Sequence, residues 1–414
     1  FRQMFVRENV LFEKMVVPRW SFIDRVMVGF HRNLVWSRSV AFTAKYGVYD
    51  PDLVPRWRYW LQLWFWRPLA HLPILRRMAR ALDVRLCPAP QAIMEQMRRI
   101  KPDLFFSTNP MEDADAYYLK AARACGIRTV GLVKSWDNMS KTSFRILPDQ
   151  ALVWGPYMRE EARRFQQFPE ERIRETGAPQ FDRYVNRGGL RSREEVLRSF
   201  ELDPKRRTIL FGSEGKVTPH DPEIVRAIAD MIRRQELIVA AQVLVRPHFG
   251  YKRDDAKFDG IADLPHVAVD RLNIPRPIFY DQWDYSAEHA RRLPEELFAS
   301  DVVINTGSTL AIDAAACDVP VISIAFDGDH QFPHRHSIAR WYETEYSVNV
   351  LNEHATILVR NHAELRAALI VALLHPEYLK EERQRLVERF AGKLDGQAGR
   401  RIASFLVQAA SRHI

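Results

Sequence analysis

The sequence predicts an α/β protein made of two doubly wound domains that face each other across a cleft. From about residue 84, short apolar runs alternate with helix-like stretches, which is typical of strand-helix units on a parallel sheet. This alternation occurs in two series, and a polar, Gly-containing segment at 186–192 separates them. The length of 414 residues suits two or three domains, at roughly 100 to 200 residues each.

The first series predicts the domain that we assign to residues 1–185. Its apolar runs predict strands at 103–108, 129–133 and 150–155, and its amphipathic stretches predict helices at 114–126 and 156–168. Pro156 stands in the first turn of the second helix, where proline is well tolerated. Residues 175–184 then lead out of this domain.

The second series predicts a second domain at 186–375. Strands are expected at 208–213, within 237–248, at 266–270, 301–308 and 319–326, and helices at 221–235, 293–300 and 309–317. Residues 361–412 read as three helices, and we expect residues 376–414 to pack back across the domains.

Composition excludes several classes of protein. With 47% hydrophobic and 27% charged residues, the chain is neither disordered nor a coiled coil, and no apolar run approaches the roughly 18 residues of a membrane span. The three cysteines are too few and too dispersed for a disulfide framework, so a reducing, cytoplasmic compartment is expected. Since residue 1 is Phe and no signal-peptide pattern follows, we expect a further segment ahead of it.

Positive charge and tryptophan are concentrated near the N-terminus. Residues 1–100 hold 17 basic and 7 acidic residues, a balance of +10, whereas the whole chain carries +9. Residues 55–82 combine tryptophans and leucines with six arginines: Arg56, Arg58, Arg67, Arg76, Arg77 and Arg80. This composition suits a segment in the interface of an anionic membrane, or a helical hairpin whose apolar side chains pack on its own domain. No nucleic-acid-binding motif is present, so nucleic acid is not an expected partner.

The most informative stretch is the predicted strand, turn and helix at 301–317. Ligands of open α/β sheets bind at the carboxyl ends of strands, where helix N-termini favour anions. We therefore expect a diphosphate beside Gly307, Ser308 and Thr309, with Asp313 contacting a ribose. The alternative is that Ser308 or Thr309 only caps the helix and Asp313 is solvated.

Two further strand ends carry polar residues. Arg246 and His248 end a strand, and we expect Arg246 to hold a phosphate and His248 to assist its departure as a catalytic residue. The turn after the first strand of the second domain contains Gly212, Ser213, Glu214 and Lys216, which are expected to contact the donor or substrate unless they form a plain turn.

Two loops complete the predicted site. In the first domain Trp136 offers a stacking surface, Asn138 an amide, and Asp137 a general base, unless the loop is an Asp-Asn turn with a packed tryptophan. In the second domain, residues 326–337 gather aspartates and histidines. We expect Asp327 and His330 to contact substrate, the alternatives being a plain loop or a metal site that includes His334 and His336.

The strand end at 246–248, the turn and helix at 305–324, and the strings SWDN, PDQALVWGPYMREEA and ETGAPQFDRY resemble the glycosyltransferase-B (GT-B) superfamily. The resemblance covers about residues 100–375 and is greatest to the surface-polysaccharide branch, which includes CDP-glycerol glycerophosphotransferase-like proteins. It implies two Rossmann-like domains and metal-independent transfer from a nucleotide-activated donor held by the second domain, with no cofactor. The Trp- and Arg-rich first hundred residues depart from this pattern.

The expected function is therefore transfer of a sugar from a nucleotide-activated donor to a polysaccharide, such as a capsule, or to a lipid-linked acceptor. The reaction would take place at the cytoplasmic face of the membrane, with residues 55–82 on the lipid surface. The alternatives are transfer of an alditol phosphate from CDP-glycerol or CDP-ribitol, a nucleotide-sugar epimerase, which shares the architecture, and a non-catalytic scaffold that binds a glycan or partner.

Overall fold

The chain divides into two compact units. The computed structural model describes residues 10–248, 250–251, 253–271 and 287–411. The N-terminal unit comprises residues 11–182, 344–346 and 388–414, and the C-terminal unit consists mainly of 183–343 and 347–387. This division does not test the predicted domain limits at residues 185 and 375, which remain predictions. Residue 1 and Phe249, which is next to the Arg246 strand end in the sequence, lie outside the described residues.

Helices fill the first hundred residues of the N-terminal unit. They are α1 (Phe22–Asn33), α2 (Arg38–Tyr46), α3 (Arg56–Leu61), a π-helical stretch (Gln62–Trp66), α4 (Arg67–Ala70), α5 (Pro73–Leu86) and α6 (Gln91–Ile100). Ser21 begins α1 with a capping box, because its side chain and that of Asp24 each accept a hydrogen bond from the other's backbone N–H. Within the described ranges, no helix combines the length and the apolar character needed to cross a membrane.

A four-stranded parallel sheet follows in the same unit. Its strands and helices are β1 (Leu104–Ser107), α7 (Asp113–Ala124), β2 (Arg128–Leu132), β3 (Gln150–Val153), α8 (Pro156–Arg164) and β4 (Ile173–Glu175), with strand order β1-β2-β3-β4. Tyr117, Ala121 and Ala122 of α7 pack against Ile93 and Met97 of α6. The three strands expected in this domain are confirmed, and β4 is additional.

The C-terminal unit contains a six-stranded parallel sheet. After α9 (Asp182–Val185) and α10 (Arg193–Ser199) come β5 (Arg207–Gly212), α11 (Asp221–Arg233), β6 (Ala241–Arg246), β7 (Val267–Val269), α12 (Ala287–Phe298), β8 (Val302–Asn305), α13 (Leu310–Ala316), β9 (Val321–Ile324), α14 (Glu345–Asn352), β10 (Ile357–Val359) and α15 (His362–Leu374). The strand order is β10-β9-β8-β5-β6-β7, and every described pair is parallel. All five strands expected here are confirmed.

The inner strands of this sheet, β5, β6, β8 and β9, are almost entirely buried, as parallel sheets usually are. The core joins strand residues such as Phe211, Val245 and Ile304 to Ile228 of α11 and Leu369 of α15. The chain ends with α16 (Lys380–Ala391) and α17 (Ala398–Ser411), and α17 packs on the sheet of the N-terminal unit. The three predicted C-terminal helices are therefore present.

A buried charge network joins the N-terminal helices to the smaller sheet. Asp83 of α5 accepts hydrogen bonds from Lys120 of α7 and from Nε of Arg145 (2.8 Å), and it lies 3.1 Å from Nε2 of His31 on α1. Arg145 also reaches Asp24 of α1 (3.2 Å). Burial alone raises the pKa of Asp83, but hydrogen bonds from His31 and Arg145 and the charge of Lys120 outweigh it, so this pKa lies well below its usual value.

We predict that Asp83→Asn lowers the free energy of unfolding of the N-terminal unit by about 3 to 5 kcal/mol, because it leaves two buried cations under-compensated. Eight of the ten tryptophans lie in this unit, so urea unfolding followed by tryptophan fluorescence measures it. The exposed Asp103→Asn should change stability by less than about 0.5 kcal/mol. Since the pKa of Asp83 is depressed, its contribution is present above about pH 4 and is lost as the pH falls below that value. Equal stability of the two variants would contradict this role for Asp83.

Candidate functional site

The strand order of the C-terminal unit places a topological switch point between β5 and β8. The chain runs from β5 outward through β6 and β7, then returns to the other side of β5 and continues outward through β8, β9 and β10. In open parallel sheets, ligands bind in the crevice outside the carboxyl ends of the strands at such a point. Predicted site residues follow both strands: Gly212, Ser213 and Glu214 follow or end β5, and Gly307, Ser308 and Thr309 follow β8.

The turn after β5 is closely packed. A Cβ at position 212 would lie 2.3 Å from Leu310 of α13, so Gly212 allows that helix to approach the strand. Gly215 has a φ of +67° and is covered by the Tyr251 ring. Ser213 is buried, and its hydroxyl donates to Asp254 (3.0 Å). Gly212 and Ser213 thus have packing and hydrogen-bonding roles at this end of β5.

Lys257 organises the polar side chains around this turn. Its ammonium group donates to Ser213 (2.7 Å) and lies 3.1 Å from carboxylate oxygens of both Asp221 and Asp254. It also donates to the carbonyl oxygens of Gly215 and Thr218. One cation therefore fixes the loop after β5 against the start of α11.

The turn after β8 differs from the predicted phosphate-binding turn. The helix begins at Leu310, with Thr309 exposed at the N-cap position, rather than at Ser308 or Thr309. The N–H of Gly307 donates to Tyr342 Oη (3.1 Å), that of Ser308 to Asn305 Oδ1 (3.1 Å), and that of Leu310 to Ser308 Oγ (3.3 Å). These three amides already bond to protein groups, so they do not form the open anion cradle that the sequence predicts.

A polar nitrogen of Asn305 remains at this edge. Asn305 is the last residue of β8 and is buried, and among the described residues nothing accepts a hydrogen bond from its Nδ2. A buried, unsatisfied donor costs about 1 to 3 kcal/mol. Asn305 is thus a candidate ligand-binding residue that the sequence interpretation used only to mark the strand end.

Arg246 belongs to a buried group of alternating charges. Its Nη1 donates to Glu296 of α12 (2.6 Å) and lies 4.0 Å from Asp270, and Arg292 pairs with Asp270. Burial raises the pKa of Glu296 to about 8. With Glu296 protonated near neutral pH, two guanidinium groups face one carboxylate, and the group carries one net positive charge. A cavity of about 870 Å³ along β7 reaches Asp270 and Arg292.

Three carboxyl groups near this edge, the half-buried Glu214 and Asp313 and the buried Glu296, have pKa values close to neutrality. Burial raises the pKa of Glu214 to about 7 and that of Asp313 to about 6, while Glu296 lies at about 8. Opposing interactions are present but weaker: a hydrogen bond with Ser308 for Glu214, and one from Tyr184 for Asp313. Groups perturbed in this way are concentrated at functional sites.

Asp313 and His248 have local partners. The hydroxyl of Tyr184 donates to Oδ1 of Asp313, so one oxygen of the proposed ribose ligand is already engaged. The backbone N–H of His248 donates to Asp254 (2.8 Å), and its Nδ1 accepts from the N–H of Gly250 (3.1 Å). Burial lowers the pKa of His248. The ring is therefore neutral with its proton on Nε2, which can donate to an anion.

The SWDN loop of the N-terminal unit corrects one prediction. Trp136 is buried, donates from Nε1 to the carbonyl of Phe390 (2.7 Å) and packs edge-on against Trp154, so it is a core residue rather than a stacking surface. Asn138 accepts from the N–H of Lys141 through its carbonyl in a turn. Asp137 pairs with Lys141; burial opposes ionisation, but Lys141 and a bond from the Ser135 hydroxyl outweigh it and lower the pKa of Asp137. Asp137 thus remains ionised but is a weakened base.

The loop after β9 corrects another prediction. Asp327 is buried and accepts from the N–H of Ile338 (2.9 Å), so it holds the loop rather than contacting substrate. His330 is exposed and contacts Glu223 of α11, while His334 pairs with Glu343. Lys216 is exposed, with its ammonium 5.8 Å from the centroid of the Tyr251 ring.

The sequence did not identify several residues that contact the candidate site. Glu296 reads as a surface residue of a charged helix, although its position one turn from Arg292 on the buried face of α12 is a weak signal. Lys257 and Tyr342 reach the site from segments distant along the chain, and no local pattern distinguishes them.

No known family matches the sequence, and no curated protein is similar to it. Solved structures do match. A protein of Listeria monocytogenes described as a UDP-N-acetylglucosamine 2-epimerase aligns with a TM-score of 0.52 at 13% identity, over 78% of this chain and 79% of that one. S. aureus MnaA, solved with UDP, aligns with a TM-score of 0.50 at 10% identity, over 82% and 84%. The wall teichoic acid polymerase TagF aligns with a TM-score of 0.46 at 15% identity, over 78% and 85%.

The fold assignment rests on the first two of these structures. Together with the two parallel sheets, they confirm the predicted class, an α/β fold with two Rossmann-like domains of the GT-B type. At these identities the similarity establishes the fold, and the reaction has to be argued from the site.

We predict that Glu214→Gln changes how stability depends on pH. With a folded pKa of about 7 against 4.5 unperturbed, Glu214 holds a proton in the folded state that the unfolded chain releases. Wild-type stability therefore falls as the pH rises from about 4.5 to 7, by up to about 3 kcal/mol at 1.4 kcal/mol per pKa unit. In Glu214→Gln this part of the decline should disappear, as measured by urea unfolding at pH 5 and 7.5. The exposed Glu194→Gln should retain the wild-type slope, and an unchanged slope in Glu214→Gln would disprove the raised pKa.

Proposed function

We propose that the C-terminal unit binds the diphosphate of a nucleotide-activated donor at the carboxyl ends of β5, β6 and β8, and that the protein transfers the activated group to a cell-surface polysaccharide or glycolipid. The observation that carries this proposal is the set of buried and half-buried acids with raised pKa values, Glu214, Asp313 and Glu296, near the carboxyl ends of the strands at the switch point. A protonated carboxyl group donates a hydrogen bond to a phosphate oxygen, whereas an ionised one repels it.

The charge around Arg246 supports the same ligand. When Glu296 is protonated, the group formed by Arg246, Asp270, Arg292 and Glu296 has one net positive charge, which favours an oxyanion beside Arg246. His248 adds an Nε2–H from the same strand end. We assign to these two residues the neutralisation of the departing diphosphate, as the sequence predicts.

Donors at the β8 turn complete the proposed pocket. Nδ2 of Asn305 is buried without an acceptor among the described residues, and Thr309 is exposed at the start of α13. Ser308 lies between them and hydrogen-bonds with Glu214. Side chains, rather than the backbone amides of the turn, would therefore contact the phosphate. Of the two structures that establish the fold, one is described as a UDP-N-acetylglucosamine 2-epimerase and the other was solved with UDP. Nucleoside diphosphates and their sugar derivatives are the ligand class that we assign here.

Transfer breaks the bond between the donor's anomeric carbon and the diphosphate oxygen and forms a bond from that carbon to an acceptor hydroxyl oxygen. The acceptor proton must pass to a base, and the leaving diphosphate must be neutralised. Asp137 remains the predicted base on the acceptor side. Its pairing with Lys141 keeps it ionised, and its side chain is only partly buried, with 31% exposed.

A donor screen tests the activity. We expect the purified protein to consume a nucleotide sugar in the presence of an acceptor extract and to release the nucleoside diphosphate. Turnover of CDP-glycerol or CDP-ribitol alone would establish alditol phosphate transfer instead. Turnover without acceptor would identify an epimerase. Absence of calorimetric binding to every nucleoside diphosphate would contradict the enzymatic proposal.

We predict that Arg246→Ala weakens binding of the nucleoside diphosphate by about 10- to 150-fold, corresponding to about 1.5 to 3 kcal/mol for a charged hydrogen bond. The matched control, Arg233→Ala, removes an exposed arginine of α11 that pairs only at the surface. Calorimetry at pH 6.5 and 8.5 adds a second measurement, because affinity should fall as Glu214 and Glu296 ionise. If Arg246→Ala is poorly folded, Thr309→Val tests the same pocket, and unchanged affinity in both variants would place the diphosphate elsewhere.

We further propose that the N-terminal unit binds the surface of an anionic membrane, where lipid-linked acceptors are found. Three helical stretches expose apolar side chains at helical spacing: Phe22, Val26 and Phe30 on α1; Trp57, Trp60, Leu61, Trp64 and Phe65 along α3 and the π-helical stretch; Ile74, Met78 and Leu82 on α5. Trp64 is 74% exposed. Phe30 contacts Trp66 edge-on, so α1 and the π-helical stretch are adjacent.

The arginines of this segment divide into two groups. Arg56, Arg58, Arg67 and Arg77 are exposed beside the apolar side chains. Arg76 and Arg80 point inward and donate to backbone carbonyls, Arg76 to Phe165 and Arg80 to Phe144 and Gln166. A surface of this kind, with aromatic rings beside arginines, suits the headgroup region of anionic bilayers.

We predict that the double variant Trp57→Ala/Trp64→Ala lowers binding to anionic liposomes at least tenfold without loss of stability, because both rings are exposed. Arg56→Glu/Arg58→Glu should give a similar loss that high salt mimics, since each arginine near the surface contributes about 1 kcal/mol. Co-sedimentation with liposomes measures both, with the exposed Ile238→Ala of the C-terminal unit as control. Equal, weak binding to neutral and anionic vesicles would exclude the proposed surface.

A further inference from the structure

Two histidines and one glutamate converge beside the loop that follows β9. His220 immediately precedes α11, Glu223 lies in its first turn, and His330 belongs to the loop. Nδ1 of His220 and Nε2 of His330 each lie 3.1 Å from the same oxygen, Oε1 of Glu223. The three ligand atoms all lie within 4.8 Å of one another.

These separations fit a tetrahedral metal ion. With bonds of about 2.0 to 2.2 Å to imidazole nitrogen and carboxylate oxygen, adjacent ligand atoms of a zinc site are about 3.4 Å apart. The two nitrogen–oxygen spacings of 3.1 Å are close to that value, and the two nitrogens, which lie within 4.8 Å of each other, can reach it by side-chain adjustment. Two imidazoles and one carboxylate are ligands that suit Zn²⁺, and three protein ligands leave the fourth position for water.

The surroundings hold Glu223 in place. Its second carboxylate oxygen accepts from the N–H of Asp329 (3.3 Å). Gly328 has a φ of +63°, and a Cβ there would lie 2.5 Å from Glu223 Oε2, so this close approach requires glycine. Phe332 stacks on the His330 ring, with centroids 5.3 Å apart. A carboxylate fixed by a hydrogen bond to its second oxygen is typical of a metal ligand held by a second layer of contacts.

We propose that His220, Glu223 and His330 bind one Zn²⁺ ion, with water as the fourth ligand, and that the ion fastens the loop after β9 to the start of α11. This site does not depend on the proposed transferase activity. The sequence interpretation placed its metal alternative within residues 326–337, whereas two of the three ligands come from α11 and the residue before it. His334 pairs with Glu343 instead.

Zinc binding tests the proposal directly. The full-length protein, prepared without a histidine tag and stripped with a chelator, is titrated with Zn²⁺ in competition with a chromophoric chelator. We expect one ion per chain and a shift of thermal unfolding to higher temperature with zinc. His330→Ala and Glu223→Gln should each weaken binding at least 100-fold. X-ray absorption of the loaded protein should show two imidazole nitrogens and two oxygens.

The control is His375→Ala, which removes an exposed histidine of the same unit and should bind zinc like the wild type. Because the side chain of His330 is 45% exposed, its replacement leaves folding intact even if His220→Ala does not. Zinc affinity unchanged in both His330→Ala and Glu223→Gln, or binding of less than 0.2 ion per chain, roughly the level of adventitious metal, would overturn the proposal.

Discussion

The arrangement of the N-terminal unit depends on one fully buried carboxylate. Asp83 accepts hydrogen bonds from Lys120 and Arg145 and contacts His31. It therefore connects α5 to α1 and to α7 beside the small sheet. A buried charge without its partner costs several kcal/mol, so this network admits few other ways of packing the helices. Because α1 and α5 are fixed by their buried sides, their apolar outer sides, such as Ile74 and Met78, remain exposed together. A structural constraint in the interior thereby sets the surface that we assign to a membrane.

In the C-terminal unit, burial of acidic side chains has a different effect. There the acids are not fully compensated: Oε1 of Glu296 lacks a donor among the described residues, and the nearest guanidinium nitrogen of Arg292 is 3.9 Å away. Burying the protonated form of Glu296 costs less free energy than burying the ionised form, and the pKa of Glu296 is therefore raised to about 8. A phosphate bound to Arg246 would complete the group and favour the protonated acid. The proposed function therefore implies that binding of the diphosphate would be coupled to proton uptake at this edge of the sheet.

Much of the fold could be predicted from the sequence, because buried parallel strands are short, nearly continuous apolar runs. Of the ten strands in the described residues, eight were predicted from that pattern. β4 contains Arg174 and Glu175 and so does not stand out from a loop, whereas β10 (Ile357–Val359) is apolar but was not predicted. The packing of the first hundred residues could not be predicted, for a different reason. Their helices carry exposed tryptophans and leucines, and the pattern that normally identifies an inner face was ambiguous there.

The positions of the candidate residues in the fold could be predicted from the sequence, but their contacts could not. Apolar runs predicted the strand ends, and a parallel sheet brings all its carboxyl ends to one side. They could not show that Tyr342 would occupy the amide of Gly307, or that Trp154 would cover Trp136, because both contacts join segments that are distant along the chain. The same limit hid the histidines around Glu223. Residues that act together at such an edge come from separate loops, and only the register of the sheet determines which loops meet.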